Sequence, residues 1–396
     1  MTTRYSGLIK RSYRITASLC TLAFAASLAA CGGGGTNTTS TGTGTEGNTT
    51  STGTTGQDTT VAIAPKLNGK VALAGAGATF PAPLYQNWAV QLNQEVPDLE
   101  VNYQSVGSGA GVEQFTAGTV DFGASDVAMK DEEIAKVSKG VLMLPMTAGS
   151  IAIAYNLPGV EGLKLPRDVY VGIFKGDITK WNDPKIVEAN PELKDKLPDT
   201  PITVVHRSDG SGTTGFFTKH LSAISPEWKK SIGEGKSVEW PANKGKFIGG
   251  KGNEGVTAAI QQNQGSIGYV EYGYAKNNNI AMAALQNKDG QFVQPNDQSA
   301  AATLAAVQLP ENLREFITDP AGAESYPIVT YSWILAYEKY DDPQKAIAME
   351  AMIQYGLTKG QQQAAALGYV PLPKNVVEKV AAAADGISPD YQIKVN

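Results

Sequence analysis

Apolar and polar positions in this chain follow two periods, and the change from one to the other recurs. Val71-Ala72-Leu73-Ala74 is a short apolar run ending in Gly75-Ala76-Gly77-Ala78-Thr79-Phe80, after which Leu84, Trp88 and Leu92 follow at helical spacing. Pro81 and Pro83 suit the first turn of that helix. Leu99, Val101 and Tyr103 alternate with polar neighbours as a strand. Gly107 to Gly111 then lead into a short helix marked by Val112 and Phe115. The run Ile202 to Val205 passes through Arg207-Ser208-Asp209-Gly210-Ser211-Gly212-Thr213-Thr214 into a helix with Phe217, Leu221 and Ile224 on one face. Strand, Gly/Ser/Thr turn and helix start therefore occur three times.

The remaining pattern predicts an alternating α/β chain. Val120 to Asp126 reads as a strand that ends on a carboxylate, followed by an acidic-first helix from Lys130 to Ser138. Val141 to Pro145 and Ile151 to Tyr155 read as two central strands, buried on both faces, with Met146 to Ser150 as a crossing point between domains. Residues 225 to 255 are loop-rich, and Gly249 to Gly255 reads as a surface turn. Val256 to Gln262 is helical, Gly265 to Tyr272 is a strand with core aromatics, and Tyr326 to Leu335 is another buried strand. Helices are expected over Ala346 to Leu357 and Val376 to Ala384. The late strand lets the polypeptide return to the first domain, so lobe I is expected to comprise 67–148 and 326–396, and lobe II 149–325.

The start of the chain follows other rules. The apolar run Ile15 to Ala30 comes after Arg4, Lys10, Arg11 and Arg14, the pattern of a secretory signal over 1–30. It ends in Leu28-Ala29-Ala30-Cys31, which resembles a lipobox, with Cys31 as the lipid-bearing residue. Gly32 to about Thr60 is Gly, Thr, Ser and Asn with little to bury, so 31–66 is expected to be a tether with a reach of about 25–30 Å. With Cys20 inside the signal and Cys31 lipidated, neither of the two cysteines forms a disulfide. Loss of 1–30 takes four of the 33 basic residues and none of the 38 acidic ones, moving the formal charge from −5 to −9. Such a balance argues against nucleic acid as a partner. Any anion must be held by local dipoles and one or two placed cations.

The three turns supply both. Unpaired N–H groups at a helix start and the positive end of its dipole point at one spot, where hydroxyls and an arginine can add donors. One such turn is ordinary loop chemistry, and Asp126 alone reads equally as a capping aspartate. Three turns with one arginine and one strand-end aspartate describe a site for a small tetrahedral anion between two lobes.

The chain closely resembles the PstS family, the substrate-binding proteins of phosphate ABC importers. The resemblance rests on GAGATFPAPLY at 75–85, VNYQSVGSGAGV at 101–112, TVDFGASD at 119–126, RSDGSGTT at 207–214, GGKGNEGV at 249–256 and IGYVEYGYA at 267–275. It implies a type II periplasmic-binding-protein fold, in which two α/β lobes are joined by crossover strands with the ligand in the cleft. It further implies that Thr79, Phe80 through its backbone amide, Ser108 and Asp126 contact phosphate from one lobe. Arg207, Ser211, Gly212 and Thr213 do so from the other, with Asp209 holding the arginine. No contact position departs from the family pattern; the tether, the lipobox and His206, where another arginine can stand, do.

The expected function is high-affinity binding of hydrogen phosphate outside the cytoplasmic membrane and its delivery to an importer permease. The expected protein is a monomer, exported and lipid-anchored through Cys31, with no cofactor, no metal and no catalytic residue. The alternatives are a phosphatase-like enzyme, a binding protein for another tetrahedral oxyanion, and an adhesive lipoprotein. The enzyme reading has only His206 and His220 to offer as bases; His220 is expected to be a partly exposed helix residue.

Overall fold

The computed structural model describes residues 62–395. The signal, Cys31 and most of the expected tether lie outside the described residues. Packing begins before the expected boundary at 67: Ile63 is 6% exposed within the core, and Gln354 donates to the Ala62 carbonyl.

In chain order the first elements are β1 (Val71–Gly77), α1 (Ala82–Glu95), β2 (Leu99–Ser105), α2 (Ser108–Thr116), β3 (Phe122–Ser125), α3 (Asp131–Ile134), β4 (Leu142–Asn156) and β5 (Lys164–Leu165). Then come α4 (Arg167–Phe174), α5 (Pro184–Ala189), β6 (Thr203–Arg207), α6 (Gly212–Ile224), α7 (Pro226–Ser231), β7 (Lys246–Gly250), α8 (Gly252–Gln262), β8 (Ser266–Glu271) and α9 (Tyr272–Asn277). The last are β9 (Ala281–Met282), β10 (Ala284–Gln286), β11 (Phe292–Val293), α10 (Asp297–Ala305), β12 (Val329–Ala336), α11 (Pro343–Leu357), α12 (Lys359–Ala364) and α13 (Lys374–Ala384).

One sheet runs in the order β2-β1-β3-β12-β4-β8-β6-β7, with β9 also on β4; β11-β10-β5 form a small second sheet. β1 pairs in parallel with β2 and β3, and β6 with β7 and β8. The two parallel groups are joined by antiparallel β12 and β4. β4 is 15 residues long and buried at every interior position, as is all of β12. Such continuous burial is what an apolar strand covered on both faces requires. β4 changes partner midway: Leu142 to Ser150 face β12, and Ile151 to Asn156 face β8.

This corrects the expectation of two strands at Val141 to Pro145 and Ile151 to Tyr155. Met146 to Ser150 continue the strand because neighbours on both sides cover them, which local composition does not reveal. The expected lobe boundary at 148/149 thus falls inside a strand. Pro145, which cannot donate to a ladder, sits where the β4–β12 register shifts between Ser332 and Trp333, a bulge that tolerates the missing N–H. Two smaller differences follow local packing: the helix expected to Ser138 ends at Ile134, and 225–255 contains α7 and the edge strand β7.

α2 lies so close to β1 and β3 that only glycine fits at 111. A Cβ there would stand 2.8 Å from the Ala76 carbonyl and 3.1 Å from that of Ala124. Gly111→Ala is therefore expected to lower stability by about 1–3 kcal/mol through overpacking. Gly386→Ala, where nothing lies within 4 Å, is the control. Urea midpoints that fall for the first variant and stay unchanged for the second are the expected result.

Candidate functional site

The three glycine turns meet at the C-terminal ends of the parallel strands. α6 begins with Ser211, whose hydroxyl accepts the Thr214 N–H at 3.0 Å, an ordinary N-cap with its hydrogen left over. α2 begins after Gly107, which has φ 91°, a conformation that favours glycine. The two turns touch directly: Gly109 N–H donates to the Gly210 carbonyl at 2.8 Å. A side chain at Gly212 would fall 2.8 Å from both the Cβ and the N of Asp126, so the α6 start closes onto that carboxylate only because residue 212 is glycine.

Arg207 ends β6 with its side chain 1% exposed. Its Nε and Nη2 donate to the two Asp209 oxygens at 2.8 and 2.6 Å, and Nη1 reaches Thr213 Oγ at 3.4 Å. The fork is thereby fixed in orientation, as a planar guanidinium paired to a carboxylate should be. Asp209 also accepts the Gly252 N–H at 3.0 Å. Burial alone would raise the Asp209 carboxyl, but the Arg207 hydrogen bonds and charge, with the Gly252 N–H, hold it below the ordinary carboxylate range.

Asp126 is 1% exposed. Ser332 donates to its Oδ1 at 2.8 Å, Ser108 Oγ lies 3.5 Å from Oδ2, and Thr330 donates to its carbonyl at 3.2 Å. Thr330 and Ser332 are two apart on β12 and so share a face, beside the register shift opposite Pro145. Burial pushes the Asp126 carboxyl up to about 7, against the Ser332 hydrogen bond, the Arg207 charge and Ser108. Thr79, 2% exposed, accepts both the backbone and the side-chain N–H of Asn253, at 3.0 and 2.8 Å. Phe80 is buried against Tyr369, whose hydroxyl donates to its carbonyl at 2.7 Å.

The structure thus gathers Thr79, Phe80, Ser108, Asp126, Arg207, Ser211, Gly212 and Thr213 as buried residues around the three turns, with Asp209 behind Arg207. Sequence reasoning missed Ser332, Asn253 and Tyr269, whose hydroxyl accepts the Arg207 N–H at 3.1 Å. It also misread two positions. Gly249 to Gly255 is no surface turn: Gly252 meets Asp209, and Asn253 is wholly buried against Thr79. The glycines and the acidic residue of a helix start were visible there, but not their partners. His220 is 1% exposed rather than partly exposed, with its Nε2 2.9 Å from the Tyr170 hydroxyl.

A sheet of two parallel groups bridged by long antiparallel strands, with buried turns facing across the bridge, defines a cleft-type solute-binding protein, and residues 38–359 match the PBP superfamily domain. The chain is 44% identical over 314 residues to the phosphate-binding protein PstS of Pasteurella multocida, covering 78% of this chain and 89% of that protein. It is likewise 44% identical over 313 residues to PstS of Haemophilus influenzae, covering 78% and 91%. The fold resembles that of a high-affinity periplasmic phosphate-binding protein solved with phosphate bound, with a TM-score of 0.64 at 21% identity over 80% of this chain and 99% of that one. The chain belongs to the PstS family of phosphate-binding proteins.

The raised Asp126 carboxyl makes a testable contribution to stability. Its folded value, about 7, lies above the ordinary 3.8, so the folded chain binds this proton more tightly. Stability from the neutral form is full below pH 3.8 and is lost as pH rises through about 7. In the phosphate-free protein, Asp126→Asn should flatten the fall in stability over this window by up to about 1.4 kcal/mol per pH unit. Urea melts at half-unit pH steps, compared with wild type, read this; identical slopes would refute it.

Proposed function

We propose that this protein binds inorganic hydrogen phosphate in the cleft between its two parallel strand groups and hands it to the permease of an ABC importer. The observation that carries this reading is Asp126, a buried acceptor set among donors. Arg207, Ser108, Ser211, Thr213 and the backbone N–H groups at Phe80 and Gly212 satisfy anion oxygens without net positive charge. Above about pH 7 the Asp126 carboxyl is ionised, and in that form it repels an anion unless the anion brings a proton. Hydrogen phosphate has one near neutral pH; sulfate does not. Leaving a buried acceptor without a donor costs about 1–3 kcal/mol, and more when it is charged. Asp126 therefore selects phosphate over sulfate.

The protein acts as a carrier rather than an enzyme. His206 stacks on Trp240 with its Nδ1 2.9 Å from the Arg207 carbonyl, and His220 is occupied by Tyr170. Burial lowers both imidazoles, His220 to about 4, so both are weak bases, and each ring is engaged by a neighbour. Lobe I (67–148 and 326–396) and lobe II (149–325) close by bending where β4 changes partner. A micromolar affinity, about −8 kcal/mol, is the expected order of magnitude. The signal over 1–30 exports the chain and Cys31 carries the lipid, so the binding unit works at a membrane surface as a monomer on its tether.

Calorimetry with phosphate, sulfate and arsenate tests the ligand. Wild type is expected to bind phosphate and reject sulfate, whereas Asp126→Asn should bind sulfate at least about tenfold more tightly than wild type does. Sulfate still excluded by that variant would refute the role of Asp126. The anchor is tested separately: Cys31→Ser should move the protein from the membrane fraction to the soluble one on cell fractionation.

A further inference from the structure

Thr79 has one hydroxyl hydrogen to give and two lone pairs to fill. Both lone pairs are occupied from one residue: Asn253 donates its backbone N–H at 3.0 Å and its side-chain Nδ2–H at 2.8 Å to Thr79 Oγ. The amide cannot be turned the other way, because its Oδ1 accepts the Glu271 backbone N–H at 3.1 Å, and a backbone N–H can only donate. Asn253 is wholly buried, and its carbonyl accepts the Thr257 hydroxyl at 2.7 Å, which holds the first turn of α8. On the other side, Thr79 is anchored by the Tyr274 hydroxyl, 2.7 Å from its carbonyl. The Thr79 methyl borders Gly252, where a Cβ would stand 3.3 Å from it, and Gly252 N–H donates to the Asp209 that holds Arg207. Thr79 is thus linked to the arginine fork through Gly252 and Asp209.

We propose that Asn253 is a positioning residue for the anion. By donating twice to Thr79 Oγ it leaves that hydroxyl only its hydrogen to use, so Thr79 becomes an obligate donor toward the bound oxyanion. The chain of fixed polarity runs from the Glu271 N–H through the Asn253 amide and Thr79 Oγ into the cleft. Thr79 follows β1 and Asn253 lies in the first turn of α8, on opposite sides of the β12–β4 bridge. The donor is therefore aimed only while the two sides are together, which couples its direction to closure. This rests on the reading of the cleft as a phosphate site.

A double-mutant cycle tests it, with phosphate affinity measured by calorimetry for wild type, Asn253→Ala, Thr79→Val and the double variant, and phosphate-free thermal melts to confirm folding. Loss of one hydrogen bond of this kind weakens binding by about tenfold. Asn253→Ala and Thr79→Val should each show at least that loss. The double variant should bind no more weakly than Thr79→Val alone, within about twofold, because Asn253 acts through the Thr79 hydroxyl. If Asn253→Ala does not melt cooperatively, Asn253→Ser completes the same cycle. Losses that multiply would assign Asn253 a merely structural role and overturn the inference while leaving phosphate binding standing. A wild-type protein that binds no phosphate overturns both.

Discussion

A guanidinium that is almost wholly removed from water must be met by a carboxylate, and the pairing of Arg207 with Asp209 is the constraint around which this cleft is built. The two residues belong to one turn, so the pair forms locally, yet it organises distant segments. Asp209 accepts from the start of α8, Gly210 accepts from the start of α2, and the Arg207 N–H rests on the Tyr269 hydroxyl of β8. Removing either charge strands the other, a loss of about 3–5 kcal/mol for a buried pair. The internal pairing also consumes Nε and Nη2 and leaves the fork's remaining N–H groups for other acceptors.

The second constraint runs the other way. Among the described residues no basic side chain hydrogen-bonds Asp126; two serines and the charge of Arg207 are what oppose its burial. A carboxylate in that state binds a proton more readily than one in water does. One charge that is satisfied and one that is not, brought together by glycine turns, give a site polarity that net charge alone would not suggest for so acidic a chain.

Much of this was legible in the sequence where the signal is local. The turns at Gly75, Gly107 and Gly210 carry their own chemistry, and the helices after them bury the faces that Trp88, Phe115 and Phe217 mark. What was not legible depends on partners far along the chain. Met146 to Ser150 contains Thr147, Gly149 and Ser150, which read as a break, and becomes strand only because β12 and the helices cover it. Asn253 looks like a solvated turn residue until Thr79, 174 positions earlier, is placed beside it. Ser332 and Thr330 are small hydroxyl residues in a mostly apolar strand, and nothing near them in sequence announces a carboxylate.

That last contact spans 206 positions, and its length has a consequence for how the protein is made. The three turns and Asp126 all leave the ribosome before β12 does. Until β12 inserts between β3 and β4, the carboxylate has no Ser332 and the central sheet has an open seam. Pairings of such long range close slowly, since the intervening loop entropy must be overcome first. The nascent chain therefore carries the three turns and Asp126 well before it has the strand that braces the carboxylate, and the surroundings of Asp126 are completed only when β12 arrives.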